Sequence, residues 1–164
     1  MRARIIAFTV SLLALAACSP AEQAKPDADA VETESATNVY VNIRKLAGEG
    51  DITAAAKLTD DPESYTAQMT IAVERLGEER FQQNMKNATL KSNIHGEKVA
   101  GDHAMVIVNF TINGVNDKAA NFFRKSGDSY VEIVAPNDSI PCKLVREFYV
   151  AKGDKDAEIG NCSE

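Results

Sequence analysis

AMVIVNFTIN, residues 104–113, is the stretch that decides the fold of this 164-residue chain. Every second residue from Ala104 to Ile112 is apolar, whereas Asn109, Thr111 and Asn113 occupy alternate positions in its second half. A period of two is the spacing of a β-strand, because successive side chains point to opposite faces of the sheet. The stretch therefore predicts a strand with one face turned towards a core.

Short turns connect this strand to three further predicted strands. Residues 89–99 form a weaker strand with Leu90 and Ile94 on one face, and residues 118–125 and 129–135 follow. The turns contain the pairs Gly101-Asp102, Asn113-Gly114 and Gly127-Asp128. Such turns favour antiparallel hairpins, so the four strands are predicted to form a meander. In the last strand Glu132 alternates with Val131 and Ile133, and we expect Glu132 to point outward.

Helical spacing precedes the strands. Val39, Ile43 and Ala47 recur at helical intervals; Asp51 and Asp61-Pro62-Glu63 are typical of helix starts. A fourth helical stretch carries Phe81 and Met85 on one side. Residues 142–152 suit a helix or a strand, with a helix ending at Gly153 favoured. The sequence predicts an α+β fold with N-terminal helices packed on a curved, cone-like antiparallel sheet of four or more strands.

The N-terminus follows the layout of a secretory signal peptide over residues 1–17. Arg2 and Arg4 precede an apolar run that is too short to span a bilayer. The motif Leu15-Ala16-Ala17-Cys18 resembles the lipobox of bacterial lipoproteins. This resemblance implies that Cys18 becomes the acylated first residue, carrying fatty acids such as palmitate. Ser19 resembles the outer-membrane sorting pattern, which implies the periplasmic leaflet of that membrane; an ordinary signal peptide is the alternative.

Composition divides the rest of the chain. Residues 18–37 have only one large aliphatic residue, Val31, and predict a disordered tether; residues 38–164 are predicted to form a single domain. Removing residues 1–17 takes away two arginines and no acidic residue, so the net charge changes from −6 to −8. This charge argues against nucleic acid as a partner.

Cys142 and Cys162 remain once Cys18 is assigned to lipid. An oxidising periplasm makes pairing the default for two cysteines, and neither belongs to a C-x-x-C metal motif. We therefore expect a structural disulfide that ties the C-terminal segment to the domain.

The order of elements and the stretch Gly50-Asp51-Ile52-Thr53-Ala54-Ala55-Ala56 are similar to the nuclear-transport-factor-2-like, or cystatin-like, superfamily. The hairpin from Phe123 to Ile133 resembles that of small lipoproteins in this superfamily. The resemblance covers residues 38–135 and implies a cone-shaped pocket between helices and sheet. The candidate lining residues are Tyr65, Met69, Phe110 and Tyr130. Buried core tyrosines are the alternative interpretation of Tyr65 and Tyr130.

No catalytic set stands out in the sequence. Glu97, Asp102 and His103 form a candidate zinc site only if they are not simply exposed hairpin residues, and exposure is the favoured interpretation. The serines lack a Gly-x-Ser-x-Gly elbow, and no phosphate-binding glycine loop occurs. We expect no catalytic residues, no metal and no cofactor.

These expectations favour a membrane-anchored periplasmic binding module for a small apolar ligand or a protein. One alternative is an immunity or inhibitor lipoprotein, since the negative charge would steer a cationic hydrolase or effector. A second alternative is an isomerase or dehydratase, which the superfamily resemblance implies only if a carboxylate lies in the pocket.

Overall fold

The computed structural model describes residues 34–112, 114–136 and 140–154. The helices are α1 Ala36–Gly48, α2 Ile52–Ala56, α3 Pro62–Leu76, α4 Glu78–Ala88 and α5 Cys142–Lys152, and a single 3-10 turn spans Lys91–Asn93. The strands are β1 Ile94–Ala100, β2 His103–Ile112, β3 Val115–Ser126 and β4 Ser129–Glu132. Helices pack against a four-stranded antiparallel sheet, which confirms the α+β prediction.

The sheet is the predicted meander, with strand order β1-β2-β3-β4. Two-residue turns join β1 to β2 and β3 to β4, and Gly101 and Gly127 adopt positive φ angles of 59° and 62° there. Glycine allows this conformation without a steric penalty, which is why these turns are tight. The first strand starts later than predicted: Leu90 precedes the 3-10 turn and is 51 % exposed.

Helices α1 to α4 cover one face of the sheet. Asp51 and Asp61 accept hydrogen bonds from Ala54 N and Ser64 N, so both predicted helix starts are confirmed. The core beneath these helices combines Val39 and Ile43 of α1 with Phe81 of α4. It also contains the following side chains from the sheet: Ala104, Val106, Val108, Phe123 and Tyr130.

Helix α5 covers the opposite face, so both faces of the sheet are buried. Met105, Ile107 and Ile133 form a second core with Leu144 of α5. Residues 142–152 thus form a helix and not a strand, as the sequence favoured, and Gly153 ends this helix with a φ of 94°. Side chains on both faces of the sheet pack into a core. The alternation of residues along a strand therefore does not reveal which core a given side chain joins.

The folded domain begins before the predicted boundary at residue 38. Ser35 caps α1 by accepting from Asn38 N, Ala36 is fully buried, and Thr37 donates to Glu97. The described residues belong to one compact unit, 31–164. Every described side chain of both cores belongs to this unit, and we expect the unit to fold without the preceding residues. None of the helices in the described ranges is long and apolar enough to traverse a bilayer.

Candidate functional site

A cluster of buried polar side chains lies between α1, α3 and the sheet. We define the polar cluster as Tyr40, Arg44, Tyr65, Asn121 and Glu132. Two clefts open beside it, and Asn121 lines both. Members of the polar cluster therefore line both clefts.

The backbone fixes Glu132 in the cluster from both sides. Within the sheet Glu132 is paired with Phe123, which is paired with Ala104, so the three residues form a row across the helix-covered face. On the free edge of β4, Glu132 N donates to Leu58 O at 3.0 Å, and Asp60 N donates to Glu132 O at 2.8 Å. The loop between α2 and α3 thus continues the sheet and holds the carboxylate towards α1.

Arg44 reaches Glu132 from α1 and binds it through both terminal nitrogens. Arg44 Nη1 donates to Glu132 Oε2, and Nη2 donates to Oε1 at 2.6 Å and to Asn121 Oδ1 at 2.8 Å. The guanidinium carbon lies 4.4 Å from the centre of the Tyr40 ring. The side chains of Arg44 and Glu132 are only 14 % and 9 % exposed. This is a buried, two-pronged ion pair, the geometry that arginine favours with carboxylates.

The ion pair and burial shift the titration of the neighbouring groups. Burial alone would lower the pKa of Arg44, but the charge of Glu132 and the hydrogen bonds to it outweigh burial and raise that pKa. Burial raises the pKa of Tyr40, with the charge of Arg44 opposing the rise. Burial likewise raises the pKa of Tyr65 to about 12, again against Arg44. Both phenols therefore stay protonated at physiological pH.

The smaller cleft, which we call the Tyr65 cleft, has a volume of about 230 Å³. Its lining consists of Arg44, Tyr65, Gln68, Met69, Ala120, Asn121, Phe122, Glu132, Ile133, Val134 and Pro136. Tyr65 is only 5 % exposed, and its buried hydroxyl has no hydrogen-bond partner among the described residues. An unsatisfied buried hydroxyl costs about 1–3 kcal/mol, so this group is an exception in an otherwise paired cluster.

The larger cleft, which we call the asparagine cleft, has a volume of about 670 Å³ and lies between α4 and the sheet. Its polar lining is formed by Asn84, Asn87, Asn93, Asn109, Thr111 and Asn121. Its apolar lining is formed by Ala88, Leu90, Val108, Phe110 and Ala119, with Tyr40 at the polar cluster. None of the described residues that line it carries a formal charge.

The predicted pocket residues do not form one site. Tyr65 and Met69 of α3 line the Tyr65 cleft, and Phe110 of β2 lines the asparagine cleft. Tyr130 is 9 % exposed and packs in the core beneath α1 to α4, outside both linings. The four residues therefore lie in three different places, two in one cleft, one in the other and one in the core. Sequence spacing alone did not reveal this division.

The expected outward direction of Glu132 is wrong. Glu132 does share a strand face with Tyr130, but that face points to the helices, while Ile133 points to the second core. The polar residue tolerates burial because Arg44 neutralises it. Sequence reasoning missed Arg44; the available signal was its position four residues after Tyr40 and one after Ile43, on the buried face of α1.

The remaining candidates lie elsewhere. Of the candidate zinc residues, Asp102 is exposed and His103 is half-buried, whereas Glu97 accepts hydrogen bonds from Thr37 N and Oγ1 at 2.8 and 2.6 Å. Within the described ranges, no group of three His, Cys, Asp or Glu side chains is arranged to hold a metal ion. Cys142 is buried at the start of α5. Cys18 and Cys162 lie outside the described residues, so lipidation and the disulfide stay predictions.

The chain matches no model of a known protein family, no curated protein and no solved structure. The resemblances drawn from the sequence therefore stay predictions, and the function has to be argued from the clefts themselves.

Proposed function

We propose that this protein is a lipid-anchored binding module of the bacterial periplasm, and that its domain holds a neutral sugar in the asparagine cleft. The observation that carries the proposal is the lining of that cleft, where uncharged amides alternate with exposed apolar surface. Concave, largely preformed clefts with a few convergent polar groups are the usual form of small-ligand sites. The lipobox resemblance supports the anchor.

The chemistry of the lining fits hydroxyl groups. An asparagine amide donates and accepts hydrogen bonds, and a sugar hydroxyl does both as well. The Asn84 side chain makes no hydrogen bond to another described residue, and Asn87 uses its amide oxygen only, to accept from Gln83, so the Asn84 amide and the Asn87 amide nitrogen are available. An ionic ligand would find no opposite charge among the described lining residues.

The apolar lining provides the second half of the recognition. Leu90 is 51 % exposed and Phe110 is half-buried at the cleft. The C–H face of a sugar ring can cover such surface while its hydroxyls reach the amides, which gains apolar burial without leaving polar groups unpaired. This ligand is more polar than the apolar ligand expected from the sequence.

Calorimetric titration with N,N′-diacetylchitobiose tests the proposal. We expect the Asn84→Ala/Asn87→Ala double variant to bind at least tenfold more weakly than the wild type, about 1.4 kcal/mol. Asn42→Ala is the matched control, because Asn42 is exposed on α1 outside the asparagine cleft. Absence of saturable binding by the wild type, or equal loss in the control, would contradict the proposal.

A second candidate function is an isomerase or dehydratase. The observation that favours it is the buried carboxylate of Glu132, which shares the Tyr65 cleft with a phenol. Tyr65 would have to turn its buried hydroxyl towards the substrate to donate to a carbonyl oxygen, and Glu132 would have to release Arg44 before accepting a proton. Deuterium exchange at the α-carbon of cyclohexanone in D₂O tests it: catalysed exchange that Glu132→Gln abolishes supports the enzyme, and the uncatalysed rate refutes it.

A further inference from the structure

We propose that the asparagine cleft selects sugars that carry an acetamido group over sugars that carry only hydroxyls, and that Asn121 is the residue that makes this selection. The inference rests on the proposed function and names the class of sugar that the same cleft takes. Asn121 acts through one hydrogen bond, which its side-chain nitrogen donates to the carbonyl oxygen of the acetamido group. The observation that carries the inference is the fixed orientation of the Asn121 amide.

Arg44 determines which half of the Asn121 amide is free. Arg44 Nη2 donates to Asn121 Oδ1 at 2.8 Å. Because arginine has only donors, the half of the amide that faces it must be the oxygen, and turning the amide over would lose this bond. Arg44 is itself held by two hydrogen bonds to Glu132. The free half of the Asn121 amide is therefore its nitrogen, which can only donate.

The Asn121 nitrogen is accessible from the asparagine cleft. Asn121 is half-buried, and its nitrogen donates to no other described residue. Among the described residues, the Tyr65 hydroxyl is the one buried side-chain polar atom that lacks a partner, so the Asn121 nitrogen is in contact with solvent. Asn121 lines both clefts, whereas Arg44 lines the Tyr65 cleft and not the asparagine cleft. Since the amide oxygen faces Arg44, the nitrogen diverges from it, towards the asparagine cleft.

The side chains next to Asn121 on its face of the sheet are apolar. Asn121 is paired with Val106 of β2, and the preceding pair on that face is Ala119 with Val108. Phe123 follows on the same face and is fully buried. None of these four side chains contains a hydrogen-bond acceptor. The donor on Asn121 therefore lies beside an apolar wall.

A carbonyl oxygen suits this position better than a hydroxyl. Both can accept from the Asn121 nitrogen, but a hydroxyl also has a hydrogen that needs an acceptor. The four neighbouring side chains offer none, the Asn121 oxygen already accepts from Arg44, and Tyr40 is only 2 % exposed. A carbonyl oxygen carries no hydrogen, and the methyl group attached to an acetamido carbonyl can cover Val108 and Ala119, which line the cleft.

The other polar groups of the lining are available to the rest of the sugar. Asn84 and Asn87 lie on α4, which forms the other wall of the cleft. Asn93 donates to Asn87 O through its side-chain nitrogen, which leaves the Asn93 oxygen as an acceptor. These groups can serve hydroxyls of any neutral sugar, so we assign the selection for an acetamido group to Asn121 alone.

Calorimetric titration with a matched pair of disaccharides tests the inference. Cellobiose has the same β-1,4-linked skeleton as N,N′-diacetylchitobiose, with hydroxyls in place of both acetamido groups. We expect the wild type to bind the acetamido sugar about tenfold more tightly than cellobiose. Asn121→Asp keeps an oxygen for Arg44 but replaces the donor nitrogen, so it should lose this preference. Asn42→Asp adds the same charge outside the cleft and should retain the preference.

The outcomes separate this inference from sugar binding itself. Equal affinity of the wild type for the two sugars, or a preference that survives Asn121→Asp, would overturn the inference and leave sugar binding intact. Binding of neither sugar would overturn both. NMR of the ¹⁵N-labelled wild type keeps the test valid if the variant folds poorly. The Asn121 side-chain amide should shift saturably with N,N′-diacetylchitobiose, and an unchanged Asn121 signal would also overturn the inference.

Discussion

Arg44 and Glu132 form the interaction on which the arrangement of both clefts depends. The pair joins α1 to β4 at two hydrogen bonds and also fixes the Asn121 amide, which borders both clefts. Removing water from two charges is costly, and only good geometry with additional hydrogen bonds offsets that cost. Here the second arginine nitrogen and the nearby Tyr40 ring provide such contacts.

Arg44→Met should destabilise the domain by about 3–5 kcal/mol, because it leaves the Glu132 carboxylate buried without its partner. The double variant Arg44→Met/Glu132→Met should recover a large part of this loss, since it removes both charges together. Urea unfolding of the wild type, both single variants and the double variant gives the coupling energy. A single variant within 1 kcal/mol of the wild type would show that the pair is not buried in solution.

The raised pKa of Tyr65 leads us to expect a loss of stability in alkaline solution. Its pKa is about 12 when folded and 10.0 in the absence of shifts. The folded state therefore holds the phenolic proton more tightly, so this contribution is fully present below pH 10 and is lost as the pH rises from about 10 to 12. For a shift of two units it amounts to about 3 kcal/mol.

Unfolding at pH 9 and pH 11.5 checks this prediction. The wild type should lose more stability over that interval than Tyr65→Phe, which should already be the more stable of the two at pH 9 because it lacks the unsatisfied hydroxyl. Tyr149→Phe serves as the control, because Tyr149 is 38 % exposed on α5. Parallel pH profiles for the wild type and Tyr65→Phe would contradict the burial of this hydroxyl.

The two residues of the ion pair show where sequence reasoning stops. Alternation in residues 129–135 correctly placed Glu132 opposite Val131 and Ile133, but it could not establish which of the two faces is turned towards the helices. Direction depends on what covers each face, and α5 covers the face to which Ile133 points. Arg44 lies among buried positions of α1, yet its need for a carboxylate becomes visible only when β4 is placed beside that helix.

At the scale of elements, the start of α1 determines where the domain begins. Ser35 caps the helix, Ala36 is buried, and Glu97 of β1 receives two hydrogen bonds from Thr37. Small and hydroxylated residues carry little hydrophobic signal, so composition assigned them to the tether. The later helices were predictable because aspartate caps and Pro62 mark their starts at short range.

A chain that starts at residue 38 should be less stable than the unit 31–164 by about 2–4 kcal/mol. The loss combines a helix cap of about 1 kcal/mol with charge-assisted hydrogen bonds to Glu97. Thermal unfolding monitored by circular dichroism measures it, with Glu97→Gln in the longer chain as a partial mimic. Equal melting temperatures for the two chains would contradict the assignment of residues 34–37 to the domain.

At the scale of the whole molecule, the fold class and meander were predictable from residues 38–153, whereas the two clefts were not. Strand periods and glycine turns are local signals, and the structure confirms both. The asparagine cleft instead collects side chains from α4, the 3-10 turn, β2 and β3, which are distant in sequence. Only the packing of α4 on the sheet brings Asn84 into one cleft with Asn121.

The anchor is also a property of the whole molecule, and Cys18 tests it. The lipobox resemblance predicts that the mature chain begins at Cys18 and carries fatty acids. Mass spectrometry of protein extracted from membranes should show the N-terminal peptide with acyl mass added, and Cys18→Ser should eliminate that mass. A mature chain with an unmodified Cys18, or cleavage at another position, would contradict the anchor.

Sugar binding in the asparagine cleft is the central claim, and an NMR titration of the ¹⁵N-labelled unit 31–164 tests it most directly. Side-chain amide signals report each asparagine separately as N,N′-diacetylchitobiose is added. The account predicts saturable shifts of the Asn84 and Asn87 amides with one common affinity, while the Asn42 amide on α1 stays unchanged. Saturable shifts confined to other surfaces, or no shifts at millimolar sugar, would contradict it.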